Sequence, residues 1–122
     1  MILDYLNFGT FREIEPNIME IIIDDGVELD RAKLTIVAAG LYEKFNKKPY
    51  AILANRQNTY SHTGSSMEVY ANLKNLKGMA NLVAVEGTHA EDALVRSLAG
   101  IARDFQHRED AISWLKETLG QA

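Results

Sequence analysis

A chain of 122 residues, 47% apolar and 25% charged, has the make-up of one globular domain that builds its core without metal or disulfide staples. The absence of cysteine excludes disulfides, a thiolate zinc site and a thiol nucleophile. A formal charge of −4 argues against a nucleic-acid-binding module, which meets phosphate with a basic stripe, and no apolar run approaches the ~20 residues that span a bilayer. Met1 opens no basic region followed by an apolar signal core, so the expectation is a single cytoplasmic domain over residues 1–122.

The amino-terminal quarter reads as β structure. Leu3 to Phe8 and Phe11 to Ile14 are short segments broken by a turn at Gly9-Thr10. After Pro16, Ile18-Met19-Glu20-Ile21-Ile22-Ile23 is rich in β-branched residues that suit a pleated, half-buried surface. One glutamate among so many apolar neighbours predicts a strand internal to the sheet, and Asp24-Asp25-Gly26 ends it. From Asp30 to Asn46 the period changes: Leu34, Val37, Ala38, Leu41 and Phe45 form one helical stripe. Asp30 is placed to cap that helix, and Lys44, Lys47 and Lys48 complement its negative end.

Tyr50-Ala51-Ile52-Leu53-Ala54, bounded by Pro49 before and turn formers after, reads as a buried parallel strand. It opens into a loop dense in hydrogen-bonding side chains, Asn55 to Ser66. A shorter helix is predicted from near Ser66 through Met67, Tyr70 and Leu73 to about Leu76, stopped by Lys77-Gly78. Ala80 to Val85 is a second buried strand. Thr88 and Glu91 make a capping box for a helix carrying Ala90, Ala93, Leu94, Leu98 and Ile101. Asp104 to His107 is a short edge strand, and a last helix from about Arg108 presents Ala111, Ile112, Leu115 and Leu119.

Strands alternating with helices call for βαβ crossovers. The predicted fold class is α/β: a mixed, mostly parallel sheet with an antiparallel amino-terminal edge, flanked by about four helices.

Three pieces in order, Ala51 to Ser61, Met79 to Val85 and Arg108 to Leu115, resemble the SpoIIAA-like or STAS-like proteins, small bacterial domains related to the anti-sigma factor antagonists. The likeness spans nearly the whole chain. It implies a sheet flanked by helices, no cofactor, and a part in protein–protein regulation or ligand sensing. In the antagonists an Asp-Ser-Ser-Gly-like turn opens the helix after the central strand, and a serine there is phosphorylated. Here that region reads His62-Thr63-Gly64-Ser65-Ser66, with no aspartate and with the glycine ahead of the serines. The resemblance therefore carries no phosphorylation over. Ser65 and Ser66 stay candidate phosphoacceptors only because they stand at a helix start, where capping is the simpler reading.

Site chemistry is concentrated at the exit of the central strand, the end of open α/β sheets where sites usually lie. Asn55, Arg56, Asn58, Tyr60, Ser61 and His62 are the candidate binding residues, although asparagines at strand ends often only close turns. His62, His89 and His107 lie far apart and lack metal-binding spacing, and Asp24, Asp25, Glu28 and Asp30 lack the alternation of a calcium loop, so no metal ligand is assigned. Ser61 or Ser66 with His107 could be drawn as a charge relay, but no G-x-S-x-G elbow is present and no catalytic residue is assigned. Trp114 and Phe105 read as core or rim.

Two functions follow. The first is a non-catalytic regulatory or protein–protein interaction domain that uses the polar loop and can also self-associate. The alternative is a domain for a small apolar or amphipathic ligand. The helix after the loop separates them: lifted from the sheet, it leaves a cavity lined by Met67, Tyr70 and Leu73.

Overall fold

Five consecutive buried residues, Tyr50 to Ala54, fill the middle of the protein, and the rest of the fold is arranged to cover them. The structure, a computed structural model, describes residues 3–58, 61, 62, 69, 70, 72–83 and 101–120. Its principal strands are β1 (Leu3–Leu6), β2 (Gly9–Glu15), β3 (Ile18–Ile23), β5 (Tyr50–Asn55), β7 (Leu76–Leu82) and β8 (Ala102–Phe105). They form one six-stranded sheet in the order β1-β2-β3-β5-β7-β8. β1 to β3 pair antiparallel, whereas β3, β5, β7 and β8 run parallel. β4 (Glu28–Leu29) and β6 (Ser61–His62) make a separate two-stranded parallel ribbon.

Each face of the sheet has its own core. On one, Met19, Ile21, Ile23, Tyr50, Ile52, Ala54 and Met79 meet Leu34, Val37, Leu41 and Phe45 of α1 (Arg31–Phe45). On the other, Ile18, Ala51, Leu53 and Ala80 meet Ala111 and Leu115 of α2 (Arg108–Thr118). Because β5 is covered on both sides, it reads as an unbroken apolar run instead of an alternating one. α1 begins where Asp30 accepts a hydrogen bond from the backbone N–H of Lys33 at 2.8 Å. Trp114 is half-buried against Phe105, with ring centroids 5.5 Å apart.

The mixed α/β sheet with its antiparallel edge is as expected, and β3 is internal. Several details differ. Two helices are described in full, and the other two of the about four expected fall wholly or partly outside the described residues. The helix predicted from near Ser66 to about Leu76 is the clearest correction. Val69 and Tyr70 are helical, but the chain turns at 72–75 and β7 already begins at Leu76. Sheet pairing overrides local helical spacing here, since Tyr50 and Leu76 sit side by side and the Tyr50 N–H donates to the Asn75 carbonyl at 3.0 Å. The helix predicted after Thr88 lies outside the described residues.

The first hairpin turns at Asn7-Phe8, and Gly9 and Thr10 belong to β2. Gly9 is needed for contact, not for turning: a Cβ there would collide with the Ile22 carbonyl oxygen across the strand pair. The turn that does need glycine is at Gly26, where φ is 77°.

Candidate functional site

Glu20 is the best-buried charged group described, at 1% exposure, in the centre of β3. The alternation that points Ile21 and Ile23 at α1 points Glu20 at the opposite face, beside the start of α2. An ionised carboxylate in that position requires donors. It has four short bonds from three side chains. Arg108 donates through both terminal nitrogens, at 2.7 Å to Oε1 and 2.8 Å to Oε2. Arg12, directly across on β2, donates to Oε1 at 2.8 Å. Asn55, at the end of β5, donates to Oε2 at 2.8 Å.

Burial alone would raise the Glu20 pKa. The hydrogen bonds from Arg108, Asn55 and Arg12, with the charge of Arg108, outweigh it and hold the carboxyl at about 2. The same bonds raise the Arg108 pKa. Both groups are thus charged at neutral pH, and the cluster keeps one net positive charge. The Arg12 Nε is buried and finds no partner among the described residues.

This network backs a shallow cleft of about 340 Å³ at the carboxyl ends of β5, β7 and β8. Leu82 and Val83 lie in its lining with Asn55, Arg56, Gln57, Gln106 and Arg108. The loop leaving β5 is fixed at once: the Arg56 N–H donates to the Leu82 carbonyl at 3.0 Å, and Asn55 Oδ1 accepts from the Gln57 N–H at 3.1 Å. Asn55 therefore closes the turn with one end of its amide and holds Glu20 with the other. His107 precedes the first turn of α2, which carries Glu109 and Asp110 against the positive end of the helix.

The six residues expected at this exit divide. Asn55 and Arg56 line the cleft. Asn58 turns toward the end of β3 and donates to the Ile23 carbonyl at 2.9 Å, which makes it a strut for the loop. Ser61 and His62 form β6, paired with Glu28 and Leu29, and the Ser61 N–H donates to the Val27 carbonyl at 3.0 Å. Nothing among the described residues links Ser61 to His107. Tyr60, Ser65 and Ser66 lie outside the described residues. No group of three acidic or histidine side chains is arranged to hold a metal among the described residues.

Sequence reasoning missed Arg12, Glu20, Gln57, Gln106 and Arg108 as partners in one place. The signal available was Glu20 itself, since a lone acid in an internal, apolar strand has to be paired. Its partners arrive from positions 12, 55 and 108, a separation that no local pattern reports.

A second cleft, of about 430 Å³, opens at the other end of the sheet, between the carboxyl end of α1 and the turn at 72–75. Ala38, Tyr42, Tyr50 and Leu73 supply its apolar lining. Tyr42 is 64% exposed, while Tyr50 is buried and stacks on Phe45 with centroids 5.0 Å apart. Burial pushes the Tyr50 hydroxyl up to about 12. Of the three residues that the ligand alternative placed around a cavity, Leu73 lines this cleft, Tyr70 is 5% exposed and packs into the α1-side core, and Met67 lies outside the described residues.

No protein-family model matches the chain, and no curated protein matches it in sequence. In three dimensions it is similar to the crystal structure of an uncharacterised protein of the DUF3478 family with a SpoIIAA-like fold from Shewanella loihica PV-4. The TM-score is 0.57 at 14% identity, over 93% of this chain and 90% of that one. The chain therefore has a SpoIIAA-like fold. No helix among the described residues is long and apolar enough to cross a membrane.

Proposed function

We propose that this is a non-catalytic interaction domain whose binding rim is the start of the loop after β5, together with the β8–α2 turn. The observation that carries this reading is the shallow cleft lined by Arg56, Gln57, Gln106 and Arg108 together with Leu82 and Val83. Such a surface is open, rich in directional donors, and mounted on a rigid base, because Asn55 and Arg108 are both tied to Glu20. Rigid mounting lowers the ordering cost of association. The net positive charge of the Glu20 cluster favours a partner segment that brings carboxylates or carbonyls to the rim. The buried position of Tyr70 in the α1-side core supports the same reading.

The test is affinity purification with wild type and with the double variant Arg56→Ala plus Gln106→Ala, both checked for unchanged melting. Selective loss of one defined companion, followed by weaker binding of that purified companion to the variant, is the expected result. An identical companion list from both proteins removes the rim from the function.

A further inference from the structure

The cleft at the amino ends of β5 and β7 is chemically unlike the rim and lies at the opposite end of the parallel strands. Its volume, about 430 Å³, falls within the range of small-molecule sites, which are mostly apolar with a few placed polar groups. Two tyrosines, Tyr42 and Tyr50, contribute to the lining, the second backed by Phe45 in a near-parallel stack at 7°. Leu73 and Ala38 complete the apolar part. A wall of this kind favours a flat, unsaturated body, because ring faces and edges gain most from stacked or tilted contact.

Charge narrows the class further. Lys47 and Lys74 line the cleft, and no acidic residue does so among the described residues. The carboxyl end of α1 points here as well, and its dipole opposes an anion with roughly half a charge. Two full ammonium charges exceed that half charge. The uncharged amides of Asn46, Asn72 and Asn75 also line the cleft. Asn46 sits at φ 56°, a left-handed value uncommon for residues other than glycine, and its N–H donates to the Tyr42 carbonyl at 2.7 Å. The turn that leads from α1 to Lys47 is therefore anchored by a specific backbone bond.

We propose that this cleft binds a small planar aromatic carboxylate, its ring seated between Tyr42, Tyr50 and Leu73 and its carboxylate facing Lys47 and Lys74. The site is independent of the interaction rim, so either can fail without the other. The same fold then offers two working ends: a polar one for a protein and an apolar, cationic one for a metabolite-sized acid.

The experiment is an NMR titration of the whole chain with 2-naphthoate, alongside its uncharged counterpart 2-naphthalenemethanol. Saturable amide shifts confined to residues 42–50 and 72–75 are expected, with the acid binding more tightly than the alcohol. The double variant Lys47→Ala plus Lys74→Ala should weaken the acid about fivefold, the size two exposed ion pairs supply, and leave the alcohol unchanged. Ala38→Phe should fill the cleft and abolish both. Tyr42→Ala, at a position 64% exposed, should weaken both together. Shifts centred on residues 55–57 and 106–108, equal affinity for acid and alcohol, or no saturable shift at millimolar probe would each overturn the proposal.

Discussion

Arg108 holds both carboxylate oxygens of Glu20, at 2.7 and 2.8 Å, and so joins the first residue of α2 to the centre of β3 across 88 positions of sequence. This forked pairing fixes where α2 begins and thereby sets one wall of the polar cleft. Removing one partner of a buried pair is costly because the other charge is stranded. Arg108 is 38% exposed, so water replaces part of what is lost. Arg108→Ala should therefore cost about 2 kcal/mol in urea unfolding, below the full value for a sealed pair. Arg12→Ala should cost about 1 kcal/mol, because its bond to Glu20 is single. A double-mutant cycle of Glu20→Gln with Arg108→Ala should show coupling of at least about 1 kcal/mol. Additive effects would mean that the two groups do not act as a unit.

The same cluster makes acid tolerance predictable. The carboxyl of Glu20 lies at about 2 in the folded chain, against an ordinary value of 4.5. A depressed carboxylate stabilises the fold fully above its ordinary value and loses that contribution as pH falls through the folded one. The window is thus about pH 4.5 to about pH 2, and the contribution at stake is on the order of 3 kcal/mol. Urea midpoints taken from neutral pH downward should fall more steeply for wild type than for Glu20→Gln. Parallel curves for the two proteins would remove Glu20 as the source.

Gly9 gives a sharper test of backbone packing. A side chain there meets the Ile22 carbonyl oxygen, and that obstacle is main chain, which cannot swing aside as a flexible side chain would. Gly9→Ala should destabilise by about 2 kcal/mol or more and loosen the β2–β3 pairing, seen as faster amide exchange in both strands. Gly26→Ala strains a left-handed turn instead, and it should leave β2–β3 exchange unchanged.

Most of the architecture was legible because its signals are local. The stripe of Leu34, Val37, Leu41 and Phe45 can be read directly, as can the unbroken run of Tyr50 to Ala54 and the cap at Asp30. The start of β7 was not. Leu73 and Leu76 fit a helical spacing, but Leu76 is claimed by its neighbour Tyr50 in the sheet. The loop after β5 was found by its polar density, yet the same density hid a division of labour. Asn58 is spent on the Ile23 carbonyl and Ser61 on β4, while the cleft gains Gln106 and Arg108 from a distant turn. Three-dimensional neighbours at sheet ends come from whichever strands pair, and pairing order is set by the whole core instead of any one segment.

Two apolar side chains on the two helices should respond very unequally to truncation. Leu115 is 0% exposed on α2 and belongs to the cluster with Ile18, Leu53 and Ala80, whereas Ile36 on α1 is 53% exposed and outside either core. Leu115→Ala removes buried methylenes and leaves a cavity under α2, at a cost of about 3 kcal/mol. Ile36→Ala exchanges a β-branched residue for a better helix former on a wet face and should change stability by no more than about 0.5 kcal/mol. α2 also carries Arg108, so the Leu115 variant should weaken partner binding at the polar rim and leave 2-naphthoate affinity at the opposite cleft within error. Chemical denaturation gives the first comparison and the NMR titration the second. Loss of naphthoate binding in a folded Leu115 variant would show that the two ends of the sheet are coupled.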